Sequence, residues 1–124
     1  MNLKLLIVED EAAILSALEQ YFASHGYAVD TAGEQAAAEA LVASRRYDAV
    51  LADLRLGGSH SAEGLDIVSF VRQHSPETKV LLLTAYGSPE IEQEAWRRGV
   101  HAFLHKPLPL AAIAAEIRGL LAGG

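Results

Sequence analysis

Four short segments of this chain end in residues able to handle a phosphoryl group or a divalent cation. Leu5-Leu6-Ile7-Val8 runs into Glu9-Asp10, and Ala49-Val50-Leu51-Ala52 runs into Asp53. Val80-Leu81-Leu82-Leu83 ends in Thr84, and Ala102-Phe103-Leu104-His105 ends in Lys106-Pro107. Each is a largely continuous apolar run, the pattern of a strand buried on both faces of a parallel sheet. Open α/β sheets bind their ligands in the crevice outside the carboxyl ends of the strands. Three acids, a hydroxyl and an amine are therefore expected to converge at one sheet edge.

Crowded carboxylates repel one another unless a cation joins them. Glu9, Asp10 and Asp53 are hard oxygen donors, which suit magnesium, an ion that takes a couple of carboxylates plus waters and phosphate oxygens. Taken alone, Glu9-Asp10-Glu11 is equally a set of acids at a helix start. Taken alone, Thr84 is a β-branched strand residue and Lys106 a surface lysine. Their coincidence at four strand ends favours a site. Asp53 is the candidate nucleophile, since a carboxylate can attack phosphorus and form an acyl phosphate. Such a transfer depends on positioning and charge neutralisation, and a metal supplies much of the latter. Lys106 can pair with a phosphoryl oxygen; two unit charges about 4 Å apart at an effective dielectric near 20 attract by roughly 4 kcal/mol before desolvation. Thr84 can donate its hydroxyl to another such oxygen.

The elements that must carry these residues alternate along the chain. Helical spacing from Ala12 to Ser24 brings Ile14, Leu15, Leu18, Tyr21 and Phe22 together, with Gly26 as a stop signal. A short strand is expected over Ala28–Ala32, then an Ala-rich helix over Glu34–Ser44 with Ala37, Ala40 and Leu41 on one face. After Asp53 comes a Gly/Ser/His loop and a helix from about Leu65 to His74, broken by Ser75-Pro76. Ser88-Pro89-Glu90 has the form of a helix start, with Ser88 as N-cap, and that helix is expected to run to about Arg98 and stop at Gly99. A last helix is expected from about Leu110 to Leu121. Alternating β and α elements of this length imply a parallel sheet covered by helices on both faces.

Composition bounds the rest. The chain has 124 residues, is 51% hydrophobic and carries a net charge of −6. That suits one compact domain. The acidic balance argues against direct nucleic-acid binding. With no cysteine, disulfides and thiolate metal sites are excluded. No apolar run approaches the roughly 20 residues of a membrane helix, and the start lacks a signal-peptide layout, so no membrane association and a cytoplasmic location are expected. His25, His60, His74, His101 and His105 lack metal-ligand spacing and are read as surface or packing residues. The whole of 1–124 is read as a single domain, with 122–124 either its end or the start of a linker.

On four segments the chain resembles the receiver domains of bacterial response regulators. They are Ile7-Val8-Glu9-Asp10-Glu11, Asp48-Ala49-Val50-Leu51-Ala52-Asp53-Leu54-Arg55-Leu56, Leu83-Thr84-Ala85 and Phe103-Leu104-His105-Lys106-Pro107. In this order and spacing they are specific together, although each alone is weak. The resemblance implies a flavodoxin-like five-stranded parallel sheet of order 2-1-3-4-5 with helices on both faces. It implies that Asp53 is the phosphoacceptor of a two-component phosphorelay, receiving its phosphoryl group from the phosphohistidine of a sensor histidine kinase or phosphotransfer protein. It further implies magnesium, with manganese as a substitute, held by Glu9, Asp10, Asp53 and the backbone carbonyl of Arg55. Thr84 and Lys106 would grip the phosphoryl group, and Phe103 would be the switch aromatic that turns inward as Thr84 is drawn toward the phosphoryl group. The output would be the face made by the fourth helix, fifth strand and fifth helix, presented to an output domain or protein partner. The Lys106-Pro107 bond is expected to be cis.

The chain departs from the family pattern in two places. Gly57 stands where the family carries Pro, and the segment 57–64 is longer than usual, so a looser loop is expected beside Asp53. The last strand lacks the paired acids, and the last helix the basic run, of receivers that dimerise to drive winged-helix DNA binding. Arg55 and Tyr86, two residues beyond Asp53 and Thr84, are expected to border the path of an attacking water, with Tyr86 slowing hydrolysis.

Three other readings compete with this switch. A flavin carrier on the same architecture would need a Ser/Thr/Gly phosphate loop where Glu9-Asp10-Glu11 stands. A phosphatase with an aspartyl-phosphate intermediate would want an acid where Arg55 stands. A receiver-like module that is never phosphorylated has no use for the complete acid–Thr–Lys set. The favoured reading is a signalling switch with magnesium-dependent self-phosphorylation and self-dephosphorylation, not a turnover enzyme.

Overall fold

A computed structural model describes residues 2–56 and 62–122. The elements in chain order are β1 (Lys4–Val8), α1 (Ala12–Ser24), β2 (Ala28–Ala32), α2 (Gln35–Ser44), β3 (Ala49–Asp53), α3 (Glu63–His74), β4 (Lys79–Thr84), α4 (Pro89–Arg98), β5 (Ala102–His105) and α5 (Leu110–Ala122). The strands form one parallel sheet in the order β2-β1-β3-β4-β5, the flavodoxin-like order that the resemblance implied.

The continuous apolar runs are explained by two cores, one on each face of the sheet. Alternate strand residues point to opposite faces. Leu6, Val50 and Leu82 join a core with α2, α3 and α4, through Val42, Val68 and Ala95. Leu5, Ile7, Leu51 and Leu81 join a second core with α1 and α5, through Phe22 and Ile117. A strand of this kind cannot alternate apolar with polar residues, because both faces are dry.

Helix boundaries follow the capping signals. Backbone N–H groups of His25 and Gly26 donate to the Phe22 and Ala23 carbonyls, so α1 ends where Gly26 was expected to end it. Ser88 caps α4, its Oγ accepting from Ile91 N at 3.2 Å, with Pro89 in the first turn. Gly99 closes α4 in the left-handed conformation, φ 100°, which a side chain would strain. The Lys106-Pro107 peptide is cis, as expected.

Two expectations are corrected. On α2 the buried residues are Ala38 and Val42, with Ala37 and Leu41 half-buried and Ala40 exposed. A helix with alanine on every side offers little contrast from which to read its face. α3 begins at Glu63, ahead of the expected Leu65. The expected looseness at 57–64 concerns residues 57–61, which lie outside the described residues.

Candidate functional site

Strand register assembles the site. Val8 lies opposite Ala52, so Glu9 and Asp53 leave adjacent strands side by side. Thr84 lies opposite His105, so Lys106 emerges beside the end of β4, and its N–H donates to the Thr84 carbonyl at 2.9 Å. From there the Lys106 side chain reaches back to β3 and β1. Its Nζ is 3.1 Å from Asp53 Oδ2 and 3.4 Å from Glu9 Oε1. Ligand oxygens of Glu9, Asp10 and Asp53 lie within 4.8 Å of one another.

The site runs in graded exposure. Glu9 is buried at 2% exposure, Asp53 is half-buried and Asp10 faces solvent. The remaining Glu9 oxygen, Oε2, accepts from Glu11 N at 3.1 Å. Burial above all, with the neighbouring Asp53 charge, pushes the Glu9 carboxyl up to about 7, against the pull of the Glu11 N–H and of Lys106. Burial opposes the charge on Lys106, yet Asp53 and Glu9 outweigh it and hold the ammonium above the usual lysine value. Lys106 thus partly does for the two inner acids what a bound cation would do. The donors that remain, all hard oxygens with Asp10 at the mouth, fit a magnesium ion.

Two short backbone turns hold side-chain oxygens of Asp53 and Thr84. Arg55 N donates to Asp53 Oδ1 at 3.0 Å, and Tyr86 N donates to Thr84 Oγ1 at 3.0 Å. A hydroxyl that accepts from Tyr86 still has its own proton to give. Beside Asp53 lies a cavity of about 330 Å³ lined by Asp10, Glu11, Ile14, Asp53, Arg55, Ala85, Tyr86 and Lys106. Thr84 is fully buried and does not line it, so its hydroxyl must move outward to meet a group in the cavity. Phe103 is buried, 8% exposed. A Cβ on Gly87 would meet its ring at 3.0 Å and Thr84 Cγ2 at 3.3 Å.

Glu9, Asp10, Asp53 and Lys106 are therefore brought into one site, while Thr84 and Phe103 are buried and do not line its cavity. Sequence reasoning missed Gly64. A Cβ there would lie 2.7 Å from the Asp53 carbonyl oxygen. Its signal was an isolated glycine opening the apolar pattern Leu65-Asp66-Ile67-Val68. Of the histidines, His25 and His74 stack on Tyr21 and Phe70, and none joins the acidic cluster among the described residues. Among those residues no helix is long and apolar enough to cross a membrane.

Fold and site together define a flavodoxin-like α/β domain with an acidic, lysine-bridged pocket at the carboxyl edge of its sheet. Residues 5–118 match the response regulator receiver domain, and the chain belongs to that family, whose members are phosphorylation-driven signalling switches. It is 34% identical over 104 residues to the alginate biosynthesis transcriptional regulatory protein AlgB of Pseudomonas aeruginosa, covering 84% of this chain and 22% of AlgB. It is 34% identical over 119 residues to the transcriptional regulatory protein PmrA of Pectobacterium parmentieri, covering 96% of this chain and 52% of PmrA. The chain thus spans from about a fifth to a half of the length of these curated relatives. Its fold is that of a CheY-like receiver domain protein from Methanospirillum hungatei, with a TM-score of 0.92 at 23% identity over 99% of this chain and 96% of that one. It is similarly close to a response regulator from Burkholderia pseudomallei solved with a phosphorylated aspartic acid, a calcium ion and citrate, with a TM-score of 0.86 at 23% identity over 98% of this chain and 70% of that one.

Proposed function

We propose that Asp53 accepts a phosphoryl group from the phosphohistidine of a sensor kinase or phosphotransfer protein, and that the resulting acyl phosphate switches the face formed by α4, β5 and α5. The observation that carries this reading is the Lys106 ammonium 3.1 Å from Asp53 Oδ2, at the edge of a cavity that Asp53 itself lines. A carboxylate oxygen of Asp53 attacks phosphorus as the nitrogen–phosphorus bond breaks, and the departing imidazole takes up a proton from solvent. Lys106 neutralises the charge brought to Asp53. Arg55 N holds one carboxylate oxygen, Oδ1, and Lys106 Nζ holds the other, Oδ2. Thr84 gives its hydroxyl proton to a phosphoryl oxygen, which draws it out of the space beside Phe103.

Magnesium, when bound by Glu9, Asp10, Asp53 and the Arg55 carbonyl, would supply further neutralisation of phosphoryl charge. An output domain or separate protein would read the α4–β5–α5 face, and a cytoplasmic location beside its kinase goes with this reading.

The test is intact mass after incubation with a small acyl-phosphate donor, with and without magnesium, on wild type and Asp53→Asn. A magnesium-dependent gain of one phosphoryl group, lost in the mutant, is the expected result. No gain in wild type, together with no binding of beryllofluoride as a stable phosphoryl mimic, would overturn the reading in favour of a module that is never phosphorylated.

A further inference from the structure

At the end of the sheet opposite Asp53, an open strand edge lies beside a basic cavity. β2 is an edge strand and pairs with β1 alone. Ala28 N donates to the Leu3 carbonyl and the Ala32 carbonyl accepts from Glu9 N, so residues 28, 30 and 32 turn their backbone groups to β1. Val29 and Thr31 therefore turn theirs to the free edge. Natural edge strands are commonly blunted by lysine, proline or a bulge. β2 reads Ala-Val-Asp-Thr-Ala in unbroken register with β1 and has none of these. Beside it lies a cavity of about 480 Å³ whose lining includes Lys4, Arg45 and Arg46 together with Val29 and Asp30. Three cations thus face one acid, in a chain whose net charge is −6. That acid is already satisfied, since Asp30 Oδ2 accepts from Tyr47 Oη at 2.6 Å and from Arg45 Nη1 at 3.1 Å. Asp48 turns its Oδ2 to Lys4 N at 2.7 Å and does not line the cavity. Arg46 comes only within 3.9 Å of Glu77, with both side chains largely exposed, an approach worth little. The Lys4 ammonium pairs with no acid among the described residues.

We propose that this edge receives an extended, acidic segment of a partner protein, which adds to β2 as a further strand. The free backbone groups of Val29 and Thr31 pair with it, the mode of recognition in which main-chain bonds give affinity and alternate side chains give specificity. Charge complementarity sets the pattern of the segment. Lys4 lies opposite Ala28 in the register, so it shares a sheet face with Ala28 and Asp30. Arg45 reaches the same face through its bond to Asp30. Side chains of an added strand alternate between faces in the same way, so acids at every second position meet the cations. The positions between them turn to the other face, where Val29 packs against the core that holds α1. The surface lies away from the phosphoryl site and does not depend on Asp53 being an acceptor.

The experiment is residue-resolved amide exchange during titration with a capped peptide of alternating glutamate and threonine. The matching lysine–threonine peptide and a plain glutamate peptide of the same length serve as controls. With the alternating acidic peptide in excess, exchange at Val29 and Thr31 is expected to slow by roughly tenfold, while Ala28 and Asp30, whose backbone groups already face β1, stay as they were. A variant carrying both Lys4→Glu and Arg46→Glu, two exposed positions, should bind the peptide at least roughly tenfold more weakly. Its melting temperature, close to that of wild type, checks that it folds. No slowing at Val29 and Thr31, equal slowing by the lysine peptide, or equal binding to the reversed variant would overturn the proposal. Binding of either glutamate peptide without slowing at those two amides would also overturn it, leaving only a diffuse attraction for anions. Slowing at the same amides on raising the protein concentration alone would overturn it in favour of a second copy of this chain.

Discussion

The backbone of Gly64 lies directly on the backbone of Asp53. A Cβ at position 64 would stand 2.7 Å from the Asp53 carbonyl oxygen and 2.7 Å from the Cα of Leu54, and Gly64 N donates to the Leu54 carbonyl at 2.9 Å. Neither neighbour is a flexible side-chain tip, so α3 and the end of β3 must part to admit even a methyl group. Gly64→Ala is expected to lose about 1–3 kcal/mol of stability in urea unfolding, the usual cost of overpacking. The displaced backbone carries Asp53, so uptake of phosphoryl from a small donor should slow as well. Wild-type stability in this variant would show that α3 moves aside freely.

Lys106 shares one ammonium between Asp53 and Glu9. It therefore competes with any divalent ion for the same two carboxylates. Lys106→Met removes the competitor and leaves the acids to repel each other. Its melting temperature should be lower than wild type without magnesium, and it should rise more steeply as magnesium is added. Magnesium affinity should tighten by roughly tenfold, about 1.4 kcal/mol. Equal magnesium titrations for the two proteins would mean that the ammonium and the ion do not contend for the same oxygens.

His101 ties the start of β5 to β4. Its N–H donates to the Val80 carbonyl at 2.8 Å, and its ring Nδ1 accepts from Val80 N at 3.0 Å. Burial first, then the charges of Arg72 and Lys79, hold its pKa below the ordinary 6.5. A ring nitrogen that accepts a backbone N–H must also be unprotonated, which works in the same direction. As pH falls below 6.5, the unfolded chain takes up a proton that the folded chain resists. Stability is then full above 6.5 and declines as pH falls from there toward the depressed folded-state value. His101→Gln should flatten that part of the pH–stability curve measured by urea midpoints. An unchanged slope would assign the decline to other groups.

Ser88 accepts the Ile91 N–H and so fixes the first turn of α4. Ser88→Ala is expected to cost about 1 kcal/mol. The loss should appear as faster amide exchange confined to the beginning of α4, beside Gly87 and the Phe103 ring. Uniformly faster exchange would instead indicate a global loss of stability.

How much of this was legible beforehand differs from element to element. β1, β3 and β4 were plain because a strand dry on both faces must be apolar throughout, and the carboxylates that end two of those runs have no packing reason to be there. α4 was plain because its two ends carry their own chemistry, Ser88-Pro89 and Gly99. α2 was misread because its alanines give no contrast between inward and outward faces. α3 starts ahead of the expected Leu65 and takes in Gly64, a poor helix former whose reason for being there lies in β3 and not in its own helix.

By itself, the sequence determined the order of elements, the parallel sheet and the residue types at its carboxyl edge, since local capping and two-sided burial leave their marks on neighbouring residues. Tertiary structure alone decided which of those residues touch. Lys106 reaches Asp53 and Glu9 from 53 and 97 positions away, and Arg55 meets Tyr86 across 31. Strand register and loop packing set such distances, and both depend on how the two cores close on the sheet. The same closure buries Glu9 and pushes its carboxyl up to about 7, which no residue beside it in the chain would announce.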